Sequence, residues 1–160
     1  MSKILIVYFS KTGNTEKMAH LVAEGVKAEG ITVEVKKVND VKVDELLDAK
    51  GIIIGSPTYF GAMAAEIKSF LDESVKHFGK LKGKVGAGFS SSALIGGGNE
   101  TTVLSILKAF LIHGMIVEGN TDGGHYGPVA IGAPDERCGK ECKGLGRRVA
   151  QLVKRLGYDL

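Results

Sequence analysis

Residues 8 to 20 read YFSKTGNTEKMAH, and six consecutive positions in that stretch, Ser10 to Thr15, hold three hydroxyls, an amide, a lysine and a glycine. They lie between an apolar run and a helical pattern, at the mouth of a helix. Backbone N–H groups there have no intrahelical partner, and the helix dipole favours negative charge. An anion fits. A hydrogen bond to a charged group contributes about 1.5–3 kcal/mol, so four or five donors from Ser10, Thr12, Gly13, Asn14 and Thr15 hold a phosphate without a dedicated arginine. A simple helix cap by Asn14 or Thr15 is the plainer reading, but a cap needs one such residue and the chain supplies five. The segment lacks GxxxxGK[ST] and GxGxxG. GLGRRV at residues 144 to 149 has two of the dinucleotide glycines but no strand before it. A monophosphate is the expected anion.

Two further loops can hold the rest of such a ligand. GSPTYFGAM supplies Ser56 and Thr58 as polar atoms, Pro57 as a fixed bend, Tyr59 and Phe60 as flat apolar faces, and Gly61 for close approach. FSSSALIGGGNETT offers Ser91, Ser92, Gly96, Gly97 and Gly98, whose backbone amides suit the edge of a planar heteroaromatic ring. Taken alone, Tyr59 and Phe60 read equally as a packing pair and the glycines as a turn. Beside SKTGNT they read as a site for a ligand with a phosphate at one end and a large ring at the other.

Elements must bring these loops together. Apolar runs rich in branched residues at Ile4 to Phe9, Ile31 to Val38, Gly51 to Gly55 and Val85 to Phe89, with a weaker one at Met115 to Glu118, predict five strands. Three-to-four spacing predicts helices through Met18 to Val26, Met63 to Val75, Val103 to Leu111 and Val149 to Leu156. Residues 40 to 50 hold at most a short helix. Continuous apolar strands are covered on both faces, and alternation with helices implies right-handed crossovers. The expectation is an α/β three-layer sandwich: a single domain over residues 1–160, with a five-stranded parallel sheet. In such sheets ligands bind beyond the carboxyl ends of the strands.

Composition narrows the function. Lys and Arg number 21 against 18 Asp and Glu, a net +3 too diffuse to argue nucleic acid. The first apolar run is too short to span a membrane. Cys138 and Cys142, four apart, are a poor disulfide framework and too few for a metal site, so a reduced, cytoplasmic setting is expected.

The sequence resembles the flavodoxin-like FMN-binding proteins, and among them the WrbA-type NAD(P)H:quinone oxidoreductases. The resemblance rests on ILIVYFSKTGNTEKMA, GSPTYFGAMAAEIKSFLD, GFSSSALIGGGNETT and the HGM at residues 113 to 115. It implies the strand order 2-1-3-4-5 and FMN as cofactor. By position, the phosphate falls to residues 10 and 12 to 15, the isoalloxazine to 57 to 61, and its pyrimidine side or ribityl chain to 91, 92 and 96 to 98. It also implies that His113 is catalytic, near the flavin face where a second substrate stacks, with a helix-capping histidine as the plain alternative. The partners implied are NAD(P)H and a quinone, and a homo-oligomer. The alternative activity is a flavodoxin-type carrier passing electrons to redox proteins. Low-potential carriers are commonly strongly acidic and this chain is not, which favours the reductase. Two departures concern the oligomer and the quinone pocket: a short segment after the second strand, and no tryptophan where the family places one near Val75 to Phe78.

Overall fold

The computed structural model describes residues 3–157. Strands β1 (Lys3–Tyr8), β2 (Thr32–Lys37), β3 (Gly51–Tyr59), β4 (Ala62–Met63), β5 (Val85–Ser92), β6 (Ile116–Val117) and β7 (Val129–Ile131) alternate with helices α1 (Asn14–Ala28), α2 (Ala65–Glu73), α3 (Asn99–Ile112) and α4 (Glu136–Arg155). The main sheet runs β2-β1-β3-β5-β6, all parallel. Seven strands stand where five were expected, for two reasons. The fifth sheet position is filled by two pieces: β6 lies beside Val85 and Gly86, β7 beside Ser90 to Ser92, and residues 118–128 loop out between them. In addition, β4 folds back antiparallel on Thr58 and Tyr59, so the sheet is not wholly parallel and Met63 precedes α2 rather than opening it. Residues 38–47 form two short 3-10 segments, and GLGRRV lies within α4.

The doubly covered sheet explains the unbroken apolar runs. In β1, Ile4, Ile6 and Tyr8 pack with α1 and α4, while Leu5 and Val7 pack with α2 and α3. Alternate residues thus enter different cores, and both sets must be apolar. Cys138 and Cys142 sit on the buried side of α4 as free thiols with Sγ atoms 3.9 Å apart.

Helices α1 and α4 touch backbone to backbone. A β-carbon added at Gly25 would stand 2.0 Å from the Lys143 carbonyl oxygen, and one at Gly146 2.0 Å from that of Val22. Alanine in a helix gains up to about 1 kcal/mol over glycine, but here the helices must part to admit it. Gly146→Ala is therefore expected to lower stability by about 1–3 kcal/mol, read as a lower urea midpoint with unchanged slope. An unchanged or raised midpoint would show that the helices are free to separate.

Candidate functional site

The parallel order gathers the ends of β1, β3 and β5 along one edge of the sheet. There a crevice of about 300 Å³ is lined by Ser10, Lys11, Thr12, Asn14, Thr15, Pro57, Thr58, Tyr59, Ser91, Ser92, Ala93 and Gly132. Three loops far apart in sequence meet as expected. Lys11, Ala93 and Gly132 were missed. Gly132 follows β7 and donates its N–H to the Ser92 carbonyl at 2.8 Å, so only the pairing of that three-residue strand could have revealed it.

At the loop expected to hold the phosphate, Gly13 takes the N-cap position with φ of 97°. That left-handed backbone is cheap only without a β-carbon. No side chain caps α1. Asn14 and Thr15 are its first residues, so the plain capping reading fails for both. The Ser10 hydroxyl accepts from the Gly13 N–H at 3.1 Å, which folds the loop around the helix end. Glu16, one residue further along, accepts from the Tyr8 hydroxyl at 2.6 Å. Burial, and then that bond, push the Tyr8 phenol well above its ordinary value, so it remains a donor. The acid is thus occupied by the strand.

A chain of hydroxyls fixes the crevice wall. Thr15 and Ser91 bond at 2.9 Å, Thr58 and Ser90 at 3.0 Å, and the Asn99 amide donates to Ser92 at 3.1 Å. Thr102 Oγ1 donates to the Gly98 carbonyl at 2.9 Å and stands 3.1 Å from Thr58 Oγ1. Thr15 is 1 % exposed, so of the two threonines in SKTGNT it is Thr12 that meets solvent.

The loops expected to hold the ring are displayed rather than buried. Tyr59 pairs with Ala62 around Phe60 and Gly61, which both take positive φ, 49° and 76°, the backbone pattern of a type I′ hairpin. A bulky residue seldom adopts that conformation. Phe60 stands fully in solvent, with exposed Leu94 and Ile95 on the neighbouring loop. Thr101 Oγ1 lies 2.8 Å from both the Gly61 and Gly98 carbonyl oxygens and ties the two loops together. Gly96, Gly97 and Gly98 sit at this outer junction, ahead of α3, and do not line the crevice. Gly13, Phe60 and Gly61 also flank it rather than face it.

His113 lies away from the crevice. It caps the C-terminal end of α3, whose 14 residues span about 21 Å. Its neighbour Gly114 pairs with Gly83 just ahead of β5, so it lies at the opposite edge of the sheet from the crevice. The Ser74 hydroxyl donates to the Leu71 carbonyl at 2.6 Å and accepts from His113 Nε2 at 2.8 Å. Nδ1 is then a buried lone pair without a partner among the described residues. Within one chain the length of α3 separates it from the crevice.

Burial, with a smaller contribution from nearby His77, lowers the His113 pKa below its ordinary 6.5. The unfolded chain therefore takes up this proton first, and stability is lost as pH falls from above 6.5 toward the lower folded value. His113→Gln is expected to flatten that loss between pH 7.5 and 5.5 in urea titrations. An equal slope in the variant would assign the loss to other groups.

The chain matches a protein-family model described as flavodoxin over residues 6–110. It is 41% identical to a flavodoxin of Aquifex aeolicus, over 96% of this chain and 88% of that one. It is 36% identical to an NAD(P)H dehydrogenase (quinone) of Archaeoglobus fulgidus, over 98% and 100% of the two. Among solved structures it superposes on a WrbA-like flavodoxin of Agrobacterium tumefaciens with a TM-score of 0.82 at 27% identity, covering 97% and 99% of the two chains. A parallel sheet ordered β2-β1-β3-β5-β6 and an uncapped first helix at its edge agree with these matches: the chain belongs to the flavodoxin family, and FMN is its cofactor.

Proposed function

We propose that this protein is an FMN-dependent electron carrier that meets redox partners at the exposed loops beside its crevice. The uncapped amides of α1 with Thr12, Asn14 and Ser10 fit the phosphate, and the Tyr59–Gly61 and Leu94–Gly98 loops fit the two sides of the ring. Bound FMN supplies one- and two-electron redox chemistry. The protein's part is to hold the phosphate in a fixed dipole, orient the ring by loops tied through Thr101, and leave one ring edge within reach of a partner.

One observation carries the choice of carrier over reductase: a second small substrate needs its own wall beside the ring, and His113, the residue expected there, lies at the far edge of the sheet. Chain length points the same way. Alignment with the Archaeoglobus quinone dehydrogenase runs over 190 positions, so that relative has about thirty residues without counterparts in this chain of 160, whereas alignment with the Aquifex flavodoxin runs over 162. The second reading, two-electron reduction of quinones by NAD(P)H, is favoured by the GGGNE and HGM motifs and by the net charge of +3. A less acidic surround eases reduction of a flavin that gains negative charge.

Anaerobic addition of NADH or NADPH to the FMN-loaded protein separates the two. A carrier keeps its flavin absorbance for minutes until a reductase protein is added; bleaching within seconds, reversed by a quinone, would establish the second reading instead. For the phosphate contact, Thr12→Ala is expected to weaken FMN binding by about 1.5–3 kcal/mol, roughly ten- to a hundredfold. Fluorescence titration measures it, and unaltered affinity would remove Thr12 from the phosphate site.

A further inference from the structure

Glu16 stands where a helix ordinarily caps itself. Asn14, Thr15 and Glu16 open α1 behind Gly13 at the cap position, which places the acid third in the helix. A side chain in a helix leans toward the helix start, and a glutamate at the third position commonly reaches back to accept from the free amides there. It also meets the positive end of the dipole. A phosphate at the same end would find this carboxylate both a rival for the amides and a like charge.

Two bonds keep the acid from that role. The Gly13 N–H, the amide that a returning glutamate takes in a capping box, already donates to the Ser10 hydroxyl at 3.1 Å. That bond leaves the Ser10 proton free to be donated in turn. The carboxylate itself is drawn the other way: the Tyr8 phenol, on the last residue of β1, donates to Glu16 Oε1 at 2.6 Å. Tyr8 is 4% exposed and packed in the core with Met18 and Ala19, whereas Glu16 is half-buried. The donor is therefore fixed and the longer, freer acid comes to it. Burial, and then this bond, keep the phenol protonated, so it holds the acid as a donor. The tyrosine gains a partner for its hydroxyl, and the helix end is left without its own acid.

We infer that Tyr8 sets the preference for a phosphate-bearing flavin: by holding Glu16 at the end of β1 it keeps the carboxylate off the first turn of α1 and leaves those amides to the FMN phosphate. The inference rests on the placement of the phosphate at α1 proposed above. Tyr8 does not line the crevice and acts through Glu16, as a positioning residue. In Tyr8→Phe the ring still fills its place in the core, but the acid is released to the helix end.

The test is the ratio of FMN to riboflavin affinity, from fluorescence titrations of the apoprotein with each flavin. Riboflavin carries no phosphate and reports whether the ring site is intact. The wild type is expected to prefer FMN. Tyr8→Phe is expected to cut that preference about three- to thirtyfold, the range for one charge at a helix end, with riboflavin affinity close to that of the wild type. Adding Glu16→Ala to Tyr8→Phe removes the rival carboxylate and is expected to restore the preference. An unchanged ratio in Tyr8→Phe overturns the proposal and leaves the phosphate placement standing. An equal loss of both flavins, or no rescue by Glu16→Ala, makes Tyr8 a packing residue and overturns it too. A wild type that binds the two flavins alike overturns the phosphate placement and the proposal together.

Discussion

The first turn of α1 imposes the main constraint on this molecule. No capping side chain accepts from its amide groups, because Gly13 occupies the cap position and Glu16 is held by Tyr8. Unpaired backbone donors in a crevice are costly unless water or a ligand satisfies them. A dianionic phosphate satisfies several at once and also lies in the favourable end of the helix dipole. The surrounding architecture serves to hold that helix end in place: α1 is pressed onto the sheet by Met18, Val22 and Val26, and locked to α4 at the Gly25 and Gly146 contact.

Around this fixed point the structure divides rigid from displayed surfaces. The hydroxyl pairs Thr15–Ser91 and Thr58–Ser90 join the ends of α1, β3 and β5, and Asn99 and Thr102 extend the chain to α3. Such a network is strong only when its members are all satisfied. Its members Thr15, Thr58, Ser91 and Ser92 line the crevice, so the network fixes the wall itself. By contrast, the Phe60 and Leu94–Ile95 loops stand in solvent, anchored mainly through Thr101. Rigid phosphate cradle and exposed apolar rim together suit a cofactor that must be gripped at one end and approached at the other.

Much of this was legible in the sequence. The unbroken runs in β1 and β3 revealed a sheet covered on both faces, since a sheet wet on one side would alternate polar and apolar residues. The density of hydroxyls in SKTGNT raised the expectation of an anion, and the structure puts Ser10, Thr12, Asn14 and Thr15 on one crevice. Three things were hidden. Strands of two and three residues carry no periodicity, so the split fifth position and Gly132 behind it could not be seen. Thr15 and Ser91 are 76 residues apart, and nothing local shows that their hydroxyls bond to each other. The position of His113 was hidden because a motif gives a residue type without saying which edge of the sheet it reaches, whereas the length of α3 decides that.

The central claim is that the phosphate, held by the end of α1, anchors the cofactor. Comparing FMN with riboflavin in fluorescence titrations of the apoprotein tests it most directly, since the two share a ring and ribityl chain and differ only in the phosphate. Several charged hydrogen bonds at about 1.5–3 kcal/mol each predict FMN bound at least about a thousandfold more tightly. Equal affinity for the two would contradict the account.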